Sequence, residues 1–164
     1  MTVICPPLVI GPWVHPLGSS GLASLNHSNH QIGNIVRGEY RSSRLPPPLA
    51  PLWVDVRDAA LAHVEAALRL DSRPGPSNGR YATCSPEKLN YHMVAEIMRE
   101  EFLEWAEEVL PPKEEMPPLK NISLDGVPAT KDLGVTYRSL RECIVDLVRQ
   151  LREEILREAE ENKS

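Results

Sequence analysis

Five histidines, three cysteines and several acidic pairs are the residues of this chain able to move protons or hold a metal. His27 and His30 lie three apart, which brings both onto one helical face, yet no Cys or carboxylate stands beside them to complete a coordination sphere. A metal centre is not expected. Asp55 and Asp58, in the run WVDVRD, have the spacing of paired carboxylates for acid–base work. A plainer reading covers both: Asp55 caps a helix, and Asp58 is a first-turn charge favoured by the helix dipole. Cys84 ends a strand-like run just before a helix start, a place where a thiol is acidified. With no His near it in sequence, it reads as an inert core thiol. His63, set among alanines, reads as a hydrogen-bonded core histidine, while His15 and His92 have no recognisable context. Trp13, after a Gly-Pro turn, and Trp53, on a short strand, suit either a pocket wall or a half-buried core position.

Positioning these residues falls to an alternation of short strands and helices. Thr2–Ile10, TVICPPLVI, is a nearly continuous apolar run closed by Gly11-Pro12, as expected of a strand covered on both faces inside a parallel sheet. Leu25–Val36 carries a helical pattern ended by Gly38. Arg41–Pro51 is a proline-rich loop. Leu52-Trp53-Val54 is a short strand leading through Asp55 into a helix over Val56–Leu70, whose small apolar residues on most faces predict close packing against a sheet. Asp71–Gly79, DSRPGPSNG, is a surface linker by its turn chemistry. Arg80–Cys84 is a further strand. Ser85-Pro86 predicts a capped helix start, with Met93, Val94, Ile97 and Met98 on one side and an end near Glu101. The acidic run Glu100, Glu101, Glu104, Glu107 and Glu108 is expected to be a solvated helix face. After a second proline-rich loop, Pro111–Pro118, Ser139 and Glu142 form a capping box for the last helix. There Leu140, Cys143, Ile144, Leu147, Val148, Leu151 and Ile155 recur at three and four. The charged residues 157–164 are expected to fray.

This order predicts an α/β fold with an at least partly parallel sheet. Such folds commonly bind nucleotides, but the required glycine-rich turn is missing: neither GxGxxG nor GxxxxGK[ST] occurs, and Pro12 removes a backbone donor just after the first strand. The chain has 164 residues, the length of one domain, with 41 % hydrophobic and 25 % charged residues, so it should bury a core. A net charge of -5 argues against nucleic acid as a partner. Cys5, Cys84 and Cys143 are too widely spaced for a CxxC pair and read as free thiols of a reducing compartment. The apolar beginning is broken by Pro6, Pro7, Gly11, Pro12 and Pro16 and has no leading Lys or Arg, so it matches neither a secretory signal nor a membrane span. The protein reads as cytoplasmic.

Several segments together resemble the C-terminal half of an extended short-chain dehydrogenase/reductase, in the branch of dihydroflavonol reductases, cinnamoyl-CoA reductases and fungal methylglyoxal reductases. Pro6-Pro7-Leu8-Val9-Ile10-Gly11-Pro12 is similar to the family's Pro-x-x-x-x-Gly-Pro strand, and Asn26-His27-Ser28 to its Asn-x-Ser at a helix head. LWVDVRDAALAHV, Leu52 to Val64, resembles its hydrophobic-Val-Asp-Val-x-Asp-x-Ala-x-Ala-His segment, and Lys131–Leu151 its closing Leu-Gly and final helix. The resemblance implies the late strands of a Rossmann-like parallel sheet plus the small substrate-binding lobe, with the N-terminal dinucleotide-binding half absent. Residues 1–164 then form a single partial domain. It further implies NADP(H) as cofactor, with main-chain contacts from Pro6 and Leu8 to the nicotinamide end, a Ser28 hydroxyl contact near the pyrophosphate, and Trp13 bordering a small carbonyl substrate. Asp55 and His63 would be structural.

Two departures limit what the resemblance carries. The residues four after Tyr40, Tyr81, Tyr91 and Tyr137 are Arg44, Ser85, Ala95 and Arg141, so the family's catalytic Tyr-x-x-x-Lys is missing, and with it the proton donor to a carbonyl oxygen. Asp125-Gly126-Val127-Pro128-Ala129 replaces the usual Asp-Asn-Ser-Lys-Ala ahead of the final Leu-Gly. The expectation is part of an NAD(P)H-dependent carbonyl oxidoreductase that does not turn over substrate alone. The rival expectation is a non-catalytic interaction module, a truncated product that self-associates through an exposed sheet edge.

Overall fold

The structure is a computed structural model and describes residues 2–47, 50–69 and 79–161. Its strands are β1 (Val3–Cys5), β2 (Leu8–Ile10), β3 (Trp53–Asp55) and β4 (Arg80–Ala82). Its helices are α1 (His27–Val36), α2 (Val56–Leu68), α3 (Tyr91–Glu101), α4 (Leu103–Val109), α5 (Val127–Leu133) and α6 (Leu140–Glu161), with a 3₁₀ segment at Gly18–Ser24. The fold is α/β with parallel pairing, as the alternation predicts. The single opening strand, however, is two: Pro6-Pro7 interrupts the ladder, since proline donates no hydrogen bond. β1 pairs in parallel with β4 and β2 with β3, in registers Ile4 to Tyr81 and Val9 to Val54. Nor is the run covered on both faces, because Val3, Ile4, Cys5, Leu8 and Val9 are only half-buried.

The main core lies where α6 meets α1 and α3. Leu140, Ile144, Leu147, Val148 and Leu151 of α6 are buried with Ile32 and Ile35 of α1 and Val94 and Met98 of α3. Each such side chain contributes about 1.5–3 kcal/mol by leaving water. Ser139 caps α6, its hydroxyl accepting from Glu142 N at 3.1 Å. The charged residues expected to fray are helical as far as Glu161. Arg157 bonds Glu154 and Glu161, and Glu158 reaches back to accept from Leu22 N at 2.8 Å.

Three further expectations are corrected. The helix expected at Ser85-Pro86 starts at Tyr91 with Asn90 as its cap, the Asn90 carboxamide accepting from His92 N. Ser85 N instead donates to Trp53 O at 2.9 Å, which keeps that residue extended beside β3. On α2, one face is buried through Asp58, Ala59, Ala62 and Ala66, whereas Leu61, Val64 and Leu68 face outward. His63 shares the outer side: it is exposed, although its Nδ1 lies 2.7 Å from Ala59 O, so it is bonded but not a core residue. The unexpected α5 docks Ala129 and Leu133 beneath α2 and β4, ended by Gly134 in the left-handed conformation. Of the linker Asp71–Gly79, residues 71–78 lie outside the described residues, as do 162–164 at the chain end.

Candidate functional site: the cavity beyond β2

The chain leaves β2 beside the end of β3, so the turn there passes close to the side chains of Asp55 and Val56 at the head of α2. Gly11 makes this possible. Its φ is +129°, and a Cβ would sit 3.1 Å from Val56 Cγ1 and 3.4 Å from each Asp55 carboxylate oxygen. Asn29, one turn into α1, then does what a neighbouring strand would do. Its Nδ2 donates to Gly11 O at 2.7 Å and its Oδ1 accepts from Gly11 N at 3.1 Å, both in a buried setting. Asn26 caps α1 and orients that turn by accepting from Asn29 N at 3.2 Å. Two residues beyond Gly11 the device is repeated by α6. Gln150 Oε1 accepts from Trp13 N at 2.9 Å, and Gln150 Nε2 donates to Trp13 O at 2.8 Å. Two side-chain amides therefore hold the segment Gly11–Trp13 at both of its ends.

The pinned segment walls a cavity of about 290 Å³ at the carboxyl end of β2, the position where ligands of open α/β sheets sit. Ile10, Pro12, Trp13, Leu17 and Leu25 make it apolar, and Asn26 and Asn29 bring polar groups from the head of α1. Trp13 is half-buried and packs its ring against the main core.

Beneath the cavity two carboxylates tie the α2 N-terminus to α6 and its leading segment. Asp55 caps α2, accepting from Arg57 N at 2.8 Å, Nε at 2.9 Å and Nη2 at 2.7 Å, while Arg57 Nη1 reaches Asp146 of α6 at 2.6 Å. Burial pushes the Asp55 carboxyl upward, but the Arg57 side-chain and backbone bonds, with a bond from Cys143, outweigh it and hold the group below its ordinary value. Asp58 accepts from Arg138 N at 2.8 Å and from its guanidinium. Here burial wins over the Arg138 bonds and the carboxyl is raised. Cys84 and Cys143 are buried and both thiols are pushed up, mainly by burial. Asp55 is thus the cap and Asp58 the first-turn acid of α2, and Cys84 is a buried thiol, in the places their sequence readings gave them. Trp53 is core as well, fully buried with Nε1 donating to Glu87 O at 3.0 Å.

The residues singled out from sequence divide. Trp13 lines the cavity. Ser28, second in α1, is half-buried, and its hydroxyl bonds no other described residue. Pro6 is exposed at the break between β1 and β2, and Leu8 opens β2 half-buried against the core; neither borders the cavity, nor does Ser28. Asn29 and Gln150 were not anticipated. Asn29 had a local signal, lying three residues after a cap. Gln150 had none, since it acts across 137 positions of sequence. Among the described residues lining the cavity, His15 is the one titratable side chain, and it is exposed. The arrangement can bind and orient a ligand with an apolar body and hydrogen-bonding groups.

No protein-family model matches the chain. It is 35 % identical over 156 residues to a ketoreductase, azaE, of Aspergillus niger, a match covering 94 % of this chain and 44 % of that protein. Cinnamoyl-CoA reductase 2 of Medicago truncatula is 28 % identical over 93 % of this chain and 40 % of its own length. The structure superposes on Gre2 from Candida albicans with a TM-score of 0.74 at 23 % identity, over 93 % of this chain and 44 % of that one. The chain thus spans less than half the length of the proteins it matches. In sequence the chain is similar to under half of a ketoreductase and of a cinnamoyl-CoA reductase, and it shares the fold of the corresponding part of Gre2.

Proposed function

We propose that this chain is the later portion of an NADP(H)-dependent carbonyl reductase, supplying the wall against which a small aldehyde or ketone is held, and that it is not catalytic by itself. The observation that carries the reading is the cavity beyond β2, walled by Trp13 and fixed through Asn29 and Gln150. Support for the cofactor comes from likeness to yeast methylglyoxal/isovaleraldehyde reductase Gre2, solved with NADPH, at a TM-score of 0.70 over 43 % of that chain. NADP(H), when bound, supplies the hydride. In this reading the backbone at Pro6 and Leu8 faces the nicotinamide end, the free Ser28 hydroxyl at the head of α1 meets a phosphate oxygen, and Trp13 borders the carbonyl substrate. What this chain does is bind, orient and exclude water. Protonating the carbonyl oxygen falls to a Tyr-x-x-x-Lys pair, which none of its four tyrosines provides. A reducing, cytoplasmic setting fits three free thiols, and among the described residues no helix is long and apolar enough to cross a membrane.

The test is reconstitution. The chain alone, given NADPH and an aldehyde, should oxidise no NADPH beyond the no-enzyme rate. Co-expressed with the part of the azaE ketoreductase that lies outside the match to this chain, it should turn over, and Trp13→Ala should raise KM more than it lowers kcat. Turnover by the chain alone, or a folded hybrid that neither binds NADPH nor reacts, would overturn the proposal.

A second reading rests on the strands themselves. Among the described residues β1 and β2 each pair along one edge only, and both remain half-buried, so the chain would associate with a second copy through that edge. Size-exclusion chromatography decides: a monomer across the accessible concentration range removes this reading.

A further inference from the structure

A wide groove of about 520 Å³ opens between α3, α4 and the Pro111–Lys113 turn, sharing no lining residue with the cavity beside Trp13. Its size suits a small molecule. Leu103, Ala106, Leu110 and Pro112 give it an apolar floor, and Leu103 is 69 % exposed, a large apolar side chain left facing water. Around that floor stand three cations, Arg41, Arg99 and Lys113, against one carboxylate, Glu107. This excess of positive charge occurs on a chain whose net charge is -5.

The three cations are not equally committed. Arg99 Nη2 donates to Pro111 O at 2.8 Å, which fixes its guanidinium at the mouth of the groove. Lys113 lies 3.6 Å from Glu96, an exposed pair of small energetic weight. Arg41 is exposed, and its guanidinium has no hydrogen-bond or ion-pair partner among the described residues. Arg99, held by Pro111 O, and Arg41, without a partner among the described residues, thus line one apolar floor, with about one positive charge left uncompensated there. That combination matches a singly charged planar anion, which a guanidinium binds through two parallel N–H bonds.

We propose that this groove binds a small amphipathic carboxylate, its carboxylate between Arg41 and Arg99 and its aliphatic or aryl body on Leu103, Leu110 and Pro112. The inference is independent of the reductase reading, because it uses neither the cavity nor the cofactor.

The experiment titrates 4-phenylbutyrate into the full chain by calorimetry, beside its neutral carboxamide and beside inorganic phosphate. Binding of the carboxylate is expected to be saturable, with the carboxamide about tenfold weaker, corresponding to the loss of a charge-assisted hydrogen bond. Arg41→Gln should weaken the carboxylate by a similar factor and leave the carboxamide unchanged; far-UV circular dichroism checks that the variant folds, which is expected because the Arg41 side chain bonds no described residue that would be orphaned. Leu103→Asp should abolish binding of both organic probes. Equal affinity for carboxylate and carboxamide, an unaffected Arg41→Gln variant, displacement of the probe by phosphate alone, or no saturable binding would each overturn the proposal.

Discussion

Replacing Asn29 by alanine should cost more stability than its size suggests, since it removes two bonds to a buried peptide group at once. Gly11 is buried, and both its N–H and its C=O are satisfied by the one carboxamide, at 3.1 and 2.7 Å. Alanine orphans both. With about 1.5 kcal/mol for each buried group left without a partner, the variant should lose about 3 kcal/mol. At a urea dependence of about 1.5 kcal/mol per molar, that moves the unfolding midpoint down by about 2 M. The assay is urea unfolding followed by far-UV circular dichroism, with Asn26→Ala as the internal comparison. Asn26 only caps α1, so its loss should cost about 1 kcal/mol. Asn29→Asp should fall on the destabilised side as well, because a carboxylate can accept from Gly11 N but has nothing to donate to Gly11 O. If Asn29→Ala unfolds within about 0.5 kcal/mol of the parent, or less readily than Asn26→Ala, the clamp does not hold the turn.

Other consequences are open to simple measurements. Gly21→Ala should destabilise by about 2 kcal/mol, since Gly21 has φ +50° and an added Cβ would lie 1.9 Å from Glu158 Oε1; thermal melts of the single and the Glu158→Ala double variant would show part of the loss recovered. Asp55 and Asp58 should respond to acid in opposite senses. The lowered Asp55 contributes stability present above its ordinary value of 3.8 and lost as pH falls through the lower folded value, whereas the raised Asp58 disfavours folding at neutral pH and is relieved as pH falls through its raised value. Urea midpoints against pH should therefore show Asp55→Asn losing the acid-induced drop and Asp58→Asn losing the shallow gain that precedes it. Asp58→Ala should cost about 2 kcal/mol in urea unfolding, below the roughly 3–5 kcal/mol of a fully buried pair because the Arg138 side chain is 34 % exposed and rehydrates. Under native conditions a thiol reagent should label half-buried Cys5 first, with Cys84 and Cys143 reacting only on unfolding, as mass spectrometry of the labelled chain would show.

Local chemistry in the sequence revealed the helices whose caps and periodicity agree. α6 was legible because Ser139, Glu142 and seven apolar residues tell one story, and α2 because Asp55 stands between a strand and a small-residue run. Ser85-Pro86 misled for a physical reason: a good cap forms only if its backbone is free to turn, and Ser85 N is already engaged by Trp53 O. The opening run looked like one strand because side-chain hydropathy does not register that Pro6 and Pro7 lack the hydrogen a ladder needs. His63 was misplaced because alanines on several faces of α2 hide which face is inward. Of the cavity's surroundings, Trp13 could be named in advance as a candidate for a pocket wall or a half-buried core position, and the helix carrying Asn29 as a helical pattern, but not its Asn26 cap. What fixes them could not, since the bonds from Asn29 and Gln150 join places brought together only by the packing of α1 and α6.

The span from Trp13 to Gln150 also bears on when the site comes into being. During synthesis the turn after β2 is made before the amide that grips it, which lies 137 residues later, and the carboxylate that holds Leu22 lies 136 residues further on, on the same helix as that amide. Closing so long a loop early would cost entropy with nothing to offset it. The wall is accordingly complete only once α6 is made: a nascent chain stopped short of α6 carries every residue lining the cavity, and the Asn29 clamp on Gly11, without the amide that pins Trp13.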